Sequence, residues 1–134
     1  MKRIALFATA LLFTTCLFAQ GNFQVVQQQK AHYQGGDVAL QEYFNIHLNY
    51  PQEALDKRVY GEVMLSYDVL PDSTVSDVVV LSGVGYGVDE EIARMIRSMK
   101  FVPAVSNGVV IRSTMIISIN VKAIPRPELE IEKE

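Results

Sequence analysis

Alternating apolar and polar residues in the middle of the chain predict a β-hairpin. In residues 62–69 the odd positions are apolar and most even positions are polar, as in a strand that is buried on one face. The segment Pro-Asp-Ser at 71–73 is typical of a turn. Residues 75–81 are rich in β-branched side chains and form the expected returning strand.

Three segments have the apolar spacing of helices. The first follows Asp37, a residue type suited to cap a helix N-terminus. The second begins at Tyr50-Pro51, because proline suits the first helical position and holds the preceding residue extended. The third, from residue 88 to 99, has acidic residues at its start and basic residues toward its end, which matches the helix dipole. The positions that define the first helix are Leu40, Tyr43, Phe44 and His47, and those that define the third are Val88, Ile92, Met95, Ile96 and Met99.

A second alternating segment, residues 110–121, predicts the last strand. The elements then run helix, helix, strand, strand, helix, strand. We expect an α+β fold in which a three-stranded antiparallel sheet, of strand order 2-1-3, carries its helices on one face. The last strand is left as an open edge of this sheet. The expected core consists of Val63, Leu65, Tyr67, Ile92, Ile96, Met99, Phe101, Ile117 and Ile119.

The N-terminus has the layout of a secretory signal peptide. Lys2 and Arg3 precede an apolar run at 4–18, and the small Ala19 suits the position before a cleavage site. An uncleaved anchor helix is the alternative, although the run is short for a hydrocarbon core of about 30 Å. Lipid attachment at Cys16 is a third interpretation, in a poor sequence context. Cleavage after Ala19 would leave a chain without cysteine, which must be held together by its core.

These features divide the chain into four parts: a signal peptide at 1–19, an N-terminal linker at 20–36, one domain at 37–122 and a mobile acidic tail at 123–134. A length of 134 residues with 49% hydrophobic residues is typical of a single small globular domain. The net charge of −3 argues against a nucleic-acid partner, because such proteins usually show a basic excess or stripe.

Candidate catalytic and ligand motifs are weak. The glycine-rich loop at 82–87 lacks the Gly-Lys-Ser/Thr of a phosphate-binding loop, and the acidic residues at 89–91 would repel an anion. His32 and His47 lack the close paired spacing of a metal motif. No serine lies in a nucleophile elbow. We therefore expect no enzymatic activity, no catalytic residue, no cofactor and no metal.

The open edge of the last strand is the remaining candidate site. An unpaired strand edge offers a row of N–H and C=O groups to another chain. Domains that bind by strand addition use such an edge, with affinity from main-chain hydrogen bonds and selectivity from alternate side chains. The competing interpretation is an edge that is protected by the tail or by formation of a homodimer. The residues alone leave both interpretations open.

Several short motifs are informative through their order and spacing. They are Tyr33-Gln34-Gly35-Gly36, Tyr50-Pro51-Gln52-Glu53-Ala54, Gly61-Glu62-Val63, Val88-Asp89, Ser98-Met99, Phe101-Val102-Pro103-Ala104 and Gly108. Together they resemble the C-terminal domain of TonB energy transducers, of the Bacteroidetes type. The resemblance covers residues 31–121, which is nearly all of the expected mature chain.

The resemblance implies a periplasmic domain that binds outer-membrane TonB-dependent transporters. Such domains take a short extended segment, the TonB box, along the last strand of the sheet, which here would be residues 112–120. This favours peptide binding over edge protection. The partner-binding residues that it implies are Arg112, Thr114, Ile116, Ser118 and Asn120 on the strand, with His47 and Tyr50 nearby.

Two departures from the family pattern keep a second function open. Full transducers have an uncleaved anchor and a long Pro-rich spacer, whereas here only residues 20–36 would serve as a spacer. Gln34 and Ser73 also stand where the family usually has Pro and Gly. The alternative is a stand-alone periplasmic interaction or assembly module without energy transduction. Membrane contact is expected only if residues 1–19 stay attached.

Overall fold

The computed structural model of the protein describes residues 27–125. The predicted signal peptide, residues 20–26 of the predicted linker and residues 126–134 of the predicted tail lie outside the described residues. The described elements, in chain order, are β1 (Gln28–Gln29), α1 (Gly36–His47), α2 (Gln52–Asp56), β2 (Tyr60–Val69), β3 (Val75–Ser82), α3 (Val88–Ser98), β4 (Ala104–Ser106), β5 (Val109–Ile111) and β6 (Ser113–Lys122).

The main sheet has three antiparallel strands in the order β3-β2-β6. This is the predicted order, so the predicted α+β fold class is confirmed. Strand β2 lies in the centre because it carries the strictest alternation, with every second residue from Val63 to Val69 buried against the helices. Its register with β6 is continuous over the whole strand, from Tyr60 opposite Lys122 to Val69 opposite Ser113.

A second, small sheet in the order β1-β4-β5 was not predicted. Strands β4 and β5 form a hairpin whose turn residues, Asn107 and Gly108, both have positive φ, as the tightest hairpin turns require. The prediction of one continuous last strand is therefore wrong at its start. Val109–Ile111 pairs with β4, and the main-sheet strand begins only at Ser113. Three consecutive polar residues at 112–114 interrupt the alternation where the chain changes sheets, a signal that the prediction of one strand did not use.

Part of the predicted linker belongs to the folded domain. Strand β1 pairs with β4. His32 and Val102 also exchange two backbone hydrogen bonds, of 3.0 and 2.8 Å. At the C-terminal end of the domain, Ala123 is buried and donates its N–H to the carbonyl of Val59 at 2.7 Å. Ordered structure therefore continues past β6.

The core lies between the main sheet and the helices. All nine predicted core residues are buried except Ile117, which is half-buried at the border of the sheet. Tyr67 packs on Phe101 with ring centroids 5.0 Å apart. Burial raises the pKa of the Tyr67 hydroxyl well above its usual value, and the negative charge of Asp37 adds to the shift, so the phenol stays neutral.

The helix starts differ from the predictions by one or two residues. The N-cap of α1 is Gly35, in a left-handed conformation that glycine tolerates, rather than Asp37, which lies inside the first turn. Pro51 is the N-cap of α2, so Tyr50 is one residue further from the helix than predicted. None of the helices in the described part of the chain has the length and apolar character needed to cross a lipid bilayer.

Candidate functional site

Strand β6 forms one border of the main sheet, because β2 is the only described strand that pairs with it. The N–H of Asn120 donates to the side chain of Gln41, and the N–H of Lys122 donates to the Tyr50 hydroxyl, each at 3.0 Å. Both acceptors lie on the side away from β2. In an antiparallel strand each residue points its N–H and C=O to the same side, and neighbours alternate. The even-numbered residues of β6 therefore direct their backbone groups out of the sheet.

Three of these outward-directed residues have no backbone partner within residues 27–125: Thr114, Ile116 and Ser118. We call them the free edge. Each offers one N–H and one C=O, so six main-chain groups are available over about 13 Å of strand. The Ile116 side chain is 62% exposed, and that of Ser118 is also exposed. The free edge is thus open both along its backbone and on its outer face.

The core side of the free edge is partly apolar. The helices cover Ile119 and Val121 completely but leave Met115 and Ile117 only half-buried. A strand added to β6 would cover the exposed parts of these two side chains with its own residues. The edge therefore combines main-chain hydrogen bonding with a small apolar rim.

An open groove lies beside the C-terminal end of β6. It has a volume of about 1150 Å³ and is enclosed by α1, the α1–α2 connection and the first residues of β2. Tyr50 lines the groove, and so does the exposed Tyr60. The polar side chains of its lining are those of Gln41, Asn45, Asn49, Tyr50, Tyr60, Glu62, Asn120 and Lys122.

The structure brings together five of the seven predicted partner-binding residues. Thr114, Ile116 and Ser118 form the free edge. Asn120 is on the same border, but its outward N–H and C=O are both bonded to Gln41. Tyr50 lies at the end of this row, where its hydroxyl accepts the N–H of Lys122.

His47 and Arg112 lie apart from this row. His47 stacks on Tyr43 with ring centroids 4.2 Å apart, and its Nδ1 lies 2.9 Å from the Tyr43 carbonyl oxygen. Arg112 lies on the uncovered face of the sheet, where it pairs with the carboxylates of Asp68 and Asp77. The guanidinium is therefore committed to β2 and β3 rather than to the free edge.

Asp68 is the centre of this polar cluster. Its carboxylate accepts hydrogen bonds from the Thr114 hydroxyl at 2.6 Å and from Arg112 Nε at 2.7 Å. These two contacts hold the pKa of Asp68 below its usual value. The hydrogen bond from Thr114 lowers the pKa most, and that from Arg112 is the next largest cause. The contribution of this carboxylate to stability is present above the pKa of an unfolded aspartate, about 3.9, and is lost as the pH falls through the lower folded value.

We expect Thr114→Val to raise the pKa of Asp68 toward that of a free aspartate, because the strongest hydrogen bond to the carboxylate is removed. A ¹³C NMR titration of the side-chain carboxyl measures the shift. Thr74→Val is the matched control, since the Thr74 hydroxyl lowers the pKa of Asp72 in the same way in the β2–β3 turn. Each variant should raise the pKa of its own partner, Asp68 or Asp72, and leave the other pKa unchanged. An unchanged Asp68 midpoint in Thr114→Val would contradict the geometry of the cluster.

The glycine-rich loop before α3 is occupied by a side chain of α3. The Asp89 carboxylate accepts the N–H groups of Val84 and Gly85, each at 2.9 Å. A Cβ at Gly83 would lie 2.1 Å from an oxygen of Asp89, which explains a glycine there. Within residues 27–125, no three His, Cys, Asp or Glu side chains come together as metal ligands.

The contribution of Gln41 could not be predicted from the sequence. This residue follows the buried Leu40 on α1 and pairs with Asn120, 79 positions further along the chain. The only local signal is that Gln41 and Asn45 are four residues apart and share one polar stripe of the helix. The contact with β6 depends on how α1 packs on the sheet.

A small α+β domain whose border strand β6 carries backbone groups without a partner in residues 27–125 has the geometry that strand addition requires. A protein-family profile described as "Gram-negative bacterial TonB protein C-terminal" matches residues 46–122, more than half of the chain. The protein belongs to this family, and the resemblance seen in the sequence is confirmed. The family is one of non-catalytic interaction domains of the cell envelope, which act with outer-membrane TonB-dependent transporters.

A solved structure of the same family shares the fold. The solution NMR structure of the Helicobacter pylori TonB C-terminal domain is 18% identical, covers 66% of this chain and 95% of its own, and has a TM-score of 0.50. A second solution structure of that domain, also 18% identical, covers 63% of this chain and 78% of its own, with a TM-score of 0.46. A comparison with curated protein sequences finds no significant match.

Proposed function

We propose that this protein is a periplasmic domain that binds an extended segment of an outer-membrane TonB-dependent transporter by strand addition. The observation that supports this function best is the free edge of β6. Its three outward-directed residues have N–H and C=O groups without a backbone partner in residues 27–125, and an extended chain is the partner that satisfies such groups in a regular array. Family membership supports the choice of the transporter as partner.

The contact is small, and we expect a modest affinity. A dissociation constant near micromolar corresponds to about −8 kcal/mol. Most of this would come from main-chain hydrogen bonds, with the apolar rim of Met115 and Ile117 adding buried area. Truncation of single side chains on the free edge should therefore change the affinity little.

The predicted binding residues take different roles in this proposal. Thr114, Ile116 and Ser118 pair with the partner, while Tyr50 and Asn120 lie where the partner leaves the sheet. We assign Arg112 an indirect role, which is to hold the start of β6 against β2 and β3 through its ion pairs. His47, at the end of α1, belongs to the surface beside the groove, and we propose that it contacts the partner only beyond the paired segment.

The experiment is an NMR titration of the ¹⁵N-labelled exported protein with TonB-box peptides from transporters of the same organism. Amide shifts should be concentrated at Ile116 and Ser118 and their neighbours. A peptide with proline at alternate positions is the matched control and should not bind, because it lacks the donors. Shifts confined to another surface, or none at millimolar peptide, would contradict strand addition and leave the assembly-module function.

One observation favours that second function, a periplasmic interaction or assembly module without energy transduction. Because β1 belongs to the folded domain, only residues 20–27 lie between the predicted cleavage site and the first strand. Eight residues span at most about 29 Å when fully extended. If the mature protein begins at Gln20, this segment is shorter than the long spacer of a full transducer.

Cleavage of the N-terminal segment decides whether a membrane anchor is present. We propose cleavage after Ala19, so that the mature protein begins at Gln20 in the periplasm. Cell fractionation followed by N-terminal sequencing measures this directly. Full-length chain in the inner membrane would contradict cleavage and restore the anchored form.

A further inference from the structure

The side chain of Gln41 imitates a strand residue at the border of β6. Its Nε2 donates to the Asn120 carbonyl at 3.0 Å, and its Oε1 accepts the Asn120 N–H at 3.0 Å. A primary amide carries the same donor and acceptor as a peptide group. Gln41 therefore satisfies both outward groups of Asn120, as a neighbouring strand would.

The Gln41 amide is fixed in this position by its surroundings. Its Nε2 also donates to the Asn45 side chain at 3.1 Å, one turn further along α1. The buried side chains of Leu40 and Phe44 hold this part of α1 on the core. The next outward N–H, that of Lys122, is taken by the Tyr50 hydroxyl. The border of β6 is thus closed from Asn120 onward by side chains of its own domain.

We propose that Gln41 is an end stop that sets the length and register of the partner strand. The inference rests on the proposed function. A partner segment can pair with Thr114, Ile116 and Ser118, but to continue to Asn120 it must displace both hydrogen bonds of Gln41. The paired segment is accordingly about five residues long, which is the length of the free edge.

The groove determines where the partner chain goes after the stop. Past Ser118 the partner leaves the plane of the sheet beside Gln41 and meets the polar side chains of Asn45 and Asn49. A longer transporter segment therefore gains no further main-chain hydrogen bonds. The affinity of the wild-type protein should be the same for a peptide that covers the free edge and for one that is extended by two residues at the end nearest Asn120.

The first test needs no peptide. Gln41→Ala removes both hydrogen bonds to Asn120 and keeps a good helix former in α1. We expect amide hydrogen exchange at Asn120 to become at least about tenfold faster, because its N–H then faces water. Gln52→Ala is the matched control, since the Gln52 side chain donates to Asp56 within α2. Unchanged exchange at Asn120 in Gln41→Ala would overturn the end stop and leave the proposed function standing.

The second test uses two TonB-box peptides that differ by two residues at that end. Wild type and Gln52→Ala should bind both with the same dissociation constant, whereas Gln41→Ala should bind the longer one severalfold more tightly and protect Asn120. Equal affinities in Gln41→Ala, or displacement of Gln41 from Asn120 by the longer peptide in wild type, would overturn the end stop. If neither peptide binds any variant, the proposed function fails instead. The exchange rate at Asn120 then reports separately whether Gln41 closes the border of β6.

Discussion

Replacement of Ser118 by proline will abolish binding of the transporter peptide and leave most of the fold intact. Proline has no N–H and fixes φ, so Ser118→Pro removes the donor at one end of the free edge and disturbs the strand where the partner pairs. The lost N–H points away from β2 and has no partner in the described part of the chain. Proline is tolerated on such edge positions for this reason.

The neighbouring position should behave in the opposite way. Ile117 directs its N–H toward Leu65 in β2, so Ile117→Pro breaks the ladder of the main sheet. An unsatisfied backbone group at that position costs about 1–3 kcal/mol, and the loss of packing by half-buried Ile117 adds to it. Thermal denaturation measures the stability of each variant, and peptide titration measures binding. Intact binding by a folded Ser118→Pro protein would show that the partner uses another surface.

Ile96→Ala should destabilise the protein by about 2–5 kcal/mol. Ile96 lies on α3 and is completely buried between this helix and the sheet. Removal of three carbon atoms leaves a cavity that the core fills only in part. For a domain of this size each kcal/mol lowers the melting temperature by about 4–8 °C, so thermal or urea denaturation will resolve the change.

Arg97→Ala is the control for Ile96→Ala. Arg97 is the next residue on α3 but lies on its exposed face, and a surface substitution of this kind usually changes stability by less than about 0.5 kcal/mol. A comparably small loss in Ile96→Ala would mean that the opposite face of α3 packs on the sheet.

The elements with one buried face could be predicted from the sequence because burial imposes a period. In β2 the apolar residues from Val63 to Val69 recur every second position, and in α3 Val88, Ile92 and Ile96 recur every fourth. Such patterns report which face of an element meets the core, and they fixed the sheet order through the short β2–β3 turn and the α3 crossover. The identification of β6 as a border strand followed from the same argument.

The small sheet could not be predicted, because its strands bury little. Val109–Ile111 is exposed along its length, so burial imposes no alternation on its three consecutive apolar residues. Strand β1 consists of two exposed glutamines whose place is set only by pairing with β4. Backbone pairing between distant segments that bury no face leaves no periodic signal in the sequence.

The sequence by itself determined the α+β class, the strand order, the helix face that packs on the sheet and the border position of the last strand. The tertiary structure alone decided how much of that border is free. Gln41 and Tyr50 reach Asn120 and Lys122 from a helix and a loop more than 70 positions away in the chain. Local periodicity carries information about burial, whereas these contacts depend on the angle at which α1 lies on the sheet, which is set by the whole core.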